Sequence, residues 1–131
     1  MTNAPISIST DAAPTPVGPY SQAVVTGSMV FVAGQLGVDP ATGSLVDGGV
    51  VPQATQALRN LEAVLVAAGA SLDSVAKTTL FLDDFDDFAA VNEVYAGFFK
   101  GLRPARSAFE VVRLPLGAAF EIEAIAAVVA Q

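Results

Sequence analysis

The sequence predicts an α+β domain built on a mixed sheet. Two segments, Ala54 to Ala68 and Phe88 to Phe99, repeat apolar residues at helical spacing. Around them lie short runs rich in Val, Ile, Thr and Phe, bounded by Gly, Pro and Asp. Some of these runs are separated by a helix and others only by a tight turn. Hairpins and helical crossovers must therefore coexist in one sheet. With no repeat and no linker long enough to divide the chain, residues 1–131 form one domain.

Residues 1–17 read as an extended lead-in, rich in Pro, Ala, Ser and Thr, and Gly18-Pro19-Tyr20 closes it. Ala23 to Thr26 and Met29 to Ala33 read as two strands around the hairpin turn Gly27-Ser28. Gly34-Gln35 breaks the second strand, and a loop follows from Asp39 to Gly49. The first helix carries Ala54, Ala57, Leu58, Leu61, Val64, Leu65 and Ala68 on one stripe. Pro52 suits its first turn and Gly69 its end. Val75 to Leu82 is the next strand.

Asp83, Asp84, Asp86 and Asp87 precede the second helix, whose N-terminal dipole favours acids. Their spacing does not follow a calcium loop, so no metal is expected. Phe88, Val91, Tyr95, Phe98 and Phe99 form the apolar stripe of this helix, with Asn92 beside it. Strands from Ala108 to Val112 and from Phe120 to Val129, around a turn at Leu114 to Gly117, complete the order β-β-α-β-α-β-β.

Hydrophobic residues make up 53% of the chain and charged ones 15%. A small domain cannot hide that surplus alone, which predicts a homo-oligomer. Thirteen acids against six bases give a net charge of −7, a field that repels phosphate backbones and disfavours nucleic acid. The chain has no Cys and no His, so thiolate catalysis and the usual zinc and haem ligands are lacking. Met1 to Pro5 does not open a secretory signal, and the apolar run near Ala124 to Ala130 falls short of the ~20 residues that span a bilayer. These features predict a soluble, cytoplasmic protein.

Chemistry then rests on few residues. Arg106, flanked by Ala105, Ser107 and Ala108, either pairs with Glu110 or another acid, or offers its fork to a ligand carboxylate. Glu121 and Glu123 project to one face of the last strand, ~7 Å apart. Like charge and apolar surroundings should raise at least one of their pKa values. Alternatively, one faces solvent while the other neutralises Arg106 or Arg113. Two carboxylates could also suggest glycoside cleavage, but nothing else builds a sugar cleft. Tyr20 caps a pocket or packs at a strand start, and Asn92 is a pocket amide or bonds within its helix. The backbone of Ala33-Gly34-Gln35 is a weak hint of a binding edge. Ser107 has no His to activate it.

Gly18-Pro19-Tyr20-Ser21-Gln22-Ala23, Ala33-Gly34-Gln35, the Gln53 to Gly69 helix, Lys77-Thr78-Thr79, Val91-Asn92-Glu93-Val94-Tyr95, Pro104-Ala105-Arg106-Ser107 and Glu121-Ile122-Glu123-Ala124 follow in that order. In this arrangement the chain resembles the RidA (YjgF) family of reactive intermediate deaminases, over roughly Gly18 to Ala127. The resemblance implies a chorismate-mutase-like fold, two helices packed on one face of the sheet, and a homotrimer with pockets between subunits. It also implies cofactor-independent, metal-free hydrolysis of 2-enamine and 2-imino acids to 2-keto acids and ammonia. On that basis Arg106 holds the substrate carboxylate and Glu121 orients water or shuttles a proton. Tyr20, Ala33, Gly34, Asn92 and Ala108 would line the pocket.

The chain departs from the family's pattern at Ala33, where Ser is common, at Ala108, where many members carry Cys, and at Phe120, where a small aliphatic is usual. These positions make the pocket less polar and favour bulkier imino acids. Three other readings stand beside this one: a hydrolase for one pathway-specific enamine, a non-catalytic trimeric 2-keto acid-binding protein, and, least favoured by the charge of −7 and the missing His, RNA cleavage or translation inhibition.

Overall fold

The computed structural model describes residues 4–129; Met1 to Asn3, where the signal reading begins, and Ala130, the end of the last apolar run, lie outside them. Among the described residues are six strands: β1 Ile6–Ile8, β2 Ala23–Thr26, β3 Met29–Leu36, β4 Val75–Leu82, β5 Ala105–Glu110 and β6 Phe120–Ala127. Helix α1 spans Val50–Ala67 and α2 spans Phe88–Phe98. One sheet runs in the order β1-β2-β3-β6-β4-β5. Only β4 and β5, joined through α2, pair parallel; the other pairs are antiparallel. The mixed α+β sheet is as the sequence predicts.

Three details differ from the sequence reading. The lead-in contains a strand, since Ile6, Ser7 and Ile8 pair with Val25, Val24 and Ala23. Three residues among Pro, Ser and Thr are too short to show a pattern, and only the edge of β2 makes them a strand. Gly34-Gln35 does not end β3; the strand continues to Leu36 across a register shift between Val32 and Gln35. Strand β5 begins three residues earlier than its apolar residues suggest and ends two earlier, at Glu110. Parallel pairing with β4 extends it back to Ala105, leaving Val112 fully exposed.

Both helices cover the same sheet face. Val30, Val32, Leu80, Leu82, Phe120, Ile122, Ala124 and Ala126 point into it, against Leu58, Leu61 and Leu65 of α1 and Val91, Tyr95 and Phe99 of α2. Each such large side chain contributes about 1.5–3 kcal/mol of burial. Truncating Leu61 to Ala would cost about 2–5 kcal/mol. The alternate positions of the central strands, Phe31, Thr79, Phe81, Glu121 and Glu123, face the uncovered side, with Phe109 of the edge strand. There Phe31 and Phe109 remain 44% and 52% exposed in the single chain.

Buried amides pin the loops that shape the site. Gln22 donates Nε2 hydrogen bonds to the carbonyls of Thr10, Ala13 and Pro14 and accepts one from the Thr10 N–H, holding the lead-in to β2. Asn60 of α1 donates to the carbonyls of Leu36 and Val38 just beyond β3. Gln53 accepts from the Ala119 N–H ahead of β6. Each ties together segments distant in the chain, at a net worth of about 1 kcal/mol per bond.

Candidate active site

Arg106 sits on edge strand β5 beside Thr78, on the helix-covered face. Its Nη1 donates to Asn92 Oδ1 at 2.8 Å. Its guanidinium lies 4.9 Å from the Tyr95 ring centroid and 5.3 Å from that of Phe88. Phe88, Asn92 and Tyr95 recur at positions i, i+4 and i+7, so one face of α2 supplies two rings and an amide to one cation. Tyr95 is anchored in turn, its hydroxyl sharing a 2.8 Å hydrogen bond with Thr78 Oγ1. Burial pushes the Tyr95 phenol up, opposed by that bond and by Arg106.

Arg106 is thus not held by Glu110, whose Oε1 accepts from the Phe85 N–H at 2.9 Å. A guanidinium has five N–H donors in a planar fork, and one bond to Asn92 leaves the rest of the fork for a carboxylate. The cleft around it, of about 430 Å³, is lined by Asn92, Tyr95, Ala96, Phe99, Arg103, Pro104 and Arg106. Ala108 follows on the same face of β5, partly buried against the core.

Glu121 belongs to a different surface. It pairs with Leu36 of β3 and Phe81 of β4, on the uncovered face. The bulge in β3 brings Gly34 under its carboxylate, so closely that a Cβ on Gly34 would fall onto Glu121 Oε2. Only glycine admits this contact. Burial raises the Glu121 pKa above its ordinary 4.5, and the Glu123 carboxylate on the same face adds to the rise. Glu123 itself is exposed.

Gly34 also lines a cavity of about 230 Å³, together with Tyr20, Val17 and Leu116. Tyr20 therefore faces a pocket, 52% exposed at its rim. Ala33 lies in the bulge, where its N–H donates to the Gln22 carbonyl at 2.9 Å. The sequence candidates thus fall into two groups. Arg106, Asn92 and Ala108 gather on the helix-covered face at the β5 edge. Glu121, Gly34, Ala33 and Tyr20 gather at the β3 bulge. One chain does not bring the two groups together.

The endoribonuclease L-PSP family model matches residues 10–128. The chain belongs to this family. It is the RidA (YjgF) family to which the sequence motifs point. The chain is 52% identical over 119 residues to the 2-iminobutanoate/2-iminopropanoate deaminase of Mus musculus, covering 91% of this chain and 88% of that one. It is likewise 52% identical to a RutC family protein of Pyrococcus horikoshii, covering 91% and 94% of the two chains. Among solved structures, E. coli TdcF with bound serine superposes with a TM-score of 0.90 at 46% identity, covering 93% of this chain and 98% of that one.

The sequence sets Tyr95 and Phe88 in an apolar stripe, as residues that close the pocket or leave that to a neighbouring chain, and does not show their part in seating Arg106. The signal was present in the spacing. Three aligned positions on one helix face carried two aromatics and an amide, a set suited to a guanidinium. Nothing in the sequence marked Gln22 or Asn60 as the clasps of the lead-in and the β3 end.

Proposed function

We propose that this protein is a cytoplasmic homotrimeric deaminase that hydrolyses 2-imino acids, and their 2-enamine tautomers, to 2-keto acids and ammonia. The observation that carries the activity is the 52% identity, over 91% of the chain, to a 2-iminobutanoate/2-iminopropanoate deaminase. The residue inventory agrees with it. A protonated imine is already a strong electrophile, so hydrolysis needs a carboxylate clamp and a base rather than a nucleophilic side chain.

Arg106 and Asn92 of one copy and Glu121, Gly34 and Tyr20 of a neighbour complete one site. Two features support that assembly: the division of these residues between opposite sheet faces, and the uncovered apolar face bearing Phe31, Phe81 and Phe109. The substrate carboxylate takes two charge-assisted hydrogen bonds from Arg106, fixing the imine carbon. Glu121 accepts a proton as water oxygen bonds to that carbon, giving a carbinolamine. It then returns the proton to nitrogen, the C–N bond breaks, ammonia leaves, and loss of the hydroxyl proton forms the keto group.

The family description names an endoribonuclease. The net charge of −7 and the lack of His weigh against that chemistry in this chain. Imino acids generated in situ by an amino acid oxidase provide the test, with ammonia and keto acid release followed. Acceleration by the protein, lost in Arg106→Ala, is expected. No acceleration with imino acids of any size would overturn the reading.

A further inference from the structure

We propose that Thr78 is a positioning residue of the carboxylate clamp, acting through the Tyr95 ring on the Arg106 guanidinium. The inference rests on the deaminase reading and adds to it a residue that reaches the substrate only through two others.

Thr78 stands on β4 and is fully buried. In the parallel ladder its partner is Arg106, so the two lie side by side on the helix-covered face. Thr78 Oγ1 reaches across the layer to α2 and shares a 2.8 Å hydrogen bond with the Tyr95 hydroxyl. Tyr95 turns its ring back to Arg106, with the guanidinium carbon 4.9 Å from the ring centroid. The backbone that carries the arginine and the ring that seats its fork are thus both tied to one threonine.

Packing alone does not call for hydroxyls here. A Val and Phe pair would fill the same volume without taking two polar groups out of water. What the hydroxyls add is direction. Tyr95 lines the cleft of about 430 Å³, so one side of its ring faces open space. Its other aromatic neighbour is Phe99, at 4.5 Å between centroids and a tilt of 34°, a contact that survives sliding of either ring. The bond to Thr78 fixes where the ring stands. Arg106 is a long, exposed side chain, held at one nitrogen by Asn92. The ring sets the plane of its fork, and that plane decides whether two N–H groups meet a carboxylate together.

The test uses Thr78→Val, Tyr95→Phe, the double variant and Thr78→Ser. For each, kcat and KM are measured with the alanine-derived imine, Kd for pyruvate by titration calorimetry, and the melting temperature. Either single variant leaves one buried hydroxyl unpaired and should melt below wild type. The double variant leaves none and should melt closer to wild type. All three should raise KM and the pyruvate Kd by about 2–10-fold, the double no more than the singles, since one bond is lost in each. The effect should fall on KM rather than kcat, because the carboxylate is held alike in substrate and transition state. Thr78→Ser keeps the hydroxyl and should restore both constants. A double variant with wild-type KM and Kd makes the pair a structural bond only and overturns the inference. Effects that add in the double variant, or that Thr78→Ser does not relieve, overturn it as well. Wild type that binds pyruvate but hydrolyses no imine removes the deaminase reading, while the pyruvate Kd still decides this inference.

Discussion

Arg106 and Glu121 lie on opposite faces of one sheet. Arg106 shares the helix-covered face with Thr78, while Glu121 shares the uncovered face with Phe81. Strand alternation sets this separation, since residues at odd and even offsets along paired strands point to opposite sides. Rotamer changes in one chain cannot bring a carboxylate and a guanidinium through a sheet. A reaction that needs both must draw them from two copies.

That geometry predicts complementation between inactive variants. Arg106→Ala and Glu121→Gln should each be nearly inactive alone. Unfolded together and refolded as mixed assemblies, they should regain about one intact site in four, because each intact site needs Arg106 from one variant and Glu121 from the other. Activity of the mixture no greater than that of the separate proteins would place both residues in the same chain's site, or neither in any site.

The seat of Arg106 predicts an ordering of variants. Two hydrogen bonds to a charged group are worth about 3–6 kcal/mol, so Arg106→Ala should lower kcat/KM by about 10²–10⁴-fold. Asn92→Ala leaves the two rings in place and should raise KM by only about tenfold, consistent with the loss of one such bond. Asn92→Asp places a carboxylate where the amide oxygen now accepts from Nη1. That internal anion competes with the substrate's and should raise KM more than Asn92→Ala does. A steady-state KM for Asn92→Asp below that of Asn92→Ala would show that Asn92 does not govern the arginine.

Much of this was legible in the sequence, for reasons that differ by element. The α1 stripe is long and strictly periodic, and the helix appears where it predicts. The Ile6–Ile8 strand is visible only once β2 offers it an edge. The bulge at Ala33-Gly34 reads as a break because glycine ends strands as readily as it kinks them. Arg106 and Glu121 stand out because so few other groups could do chemistry. Their opposite facing is harder to see, since it depends on β5 pairing parallel to β4 in one particular register.

The contact between Gly34 and the Glu121 carboxylate predicts a variant that separates fold from activity. In Gly34→Ala the new Cβ displaces the end of a flexible side chain rather than backbone, so the fold should survive. The carboxylate moves by about an ångström, a displacement that can cost about 10²-fold in rate. Circular dichroism and thermal melting should stay close to wild type while kcat falls. Retained kcat would mean that the position of Glu121 over Gly34 is irrelevant to the reaction.

The raised pKa of Glu121 links activity and stability through pH. Burial, and then the neighbouring Glu123 charge, lift it above 4.5, so the acid limb of kcat/KM should lie higher than for an ordinary Glu. Glu123→Gln removes the smaller cause and should move that limb down without returning it fully. For stability the sign is the reverse of a salt-bridged carboxylate. The folded chain binds this proton more tightly than the unfolded chain does, so ionising Glu121 costs stability. The cost is absent below the unfolded carboxyl's range and is complete once the pH has risen above the folded value. Glu121→Gln cannot ionise. It should lose about 10²–10⁴-fold in kcat yet melt above wild type at about pH 8, with the difference vanishing towards about pH 4. A variant no more stable than wild type at the higher pH would mean that the Glu121 charge is already solvated, and that burial is not what tunes the base.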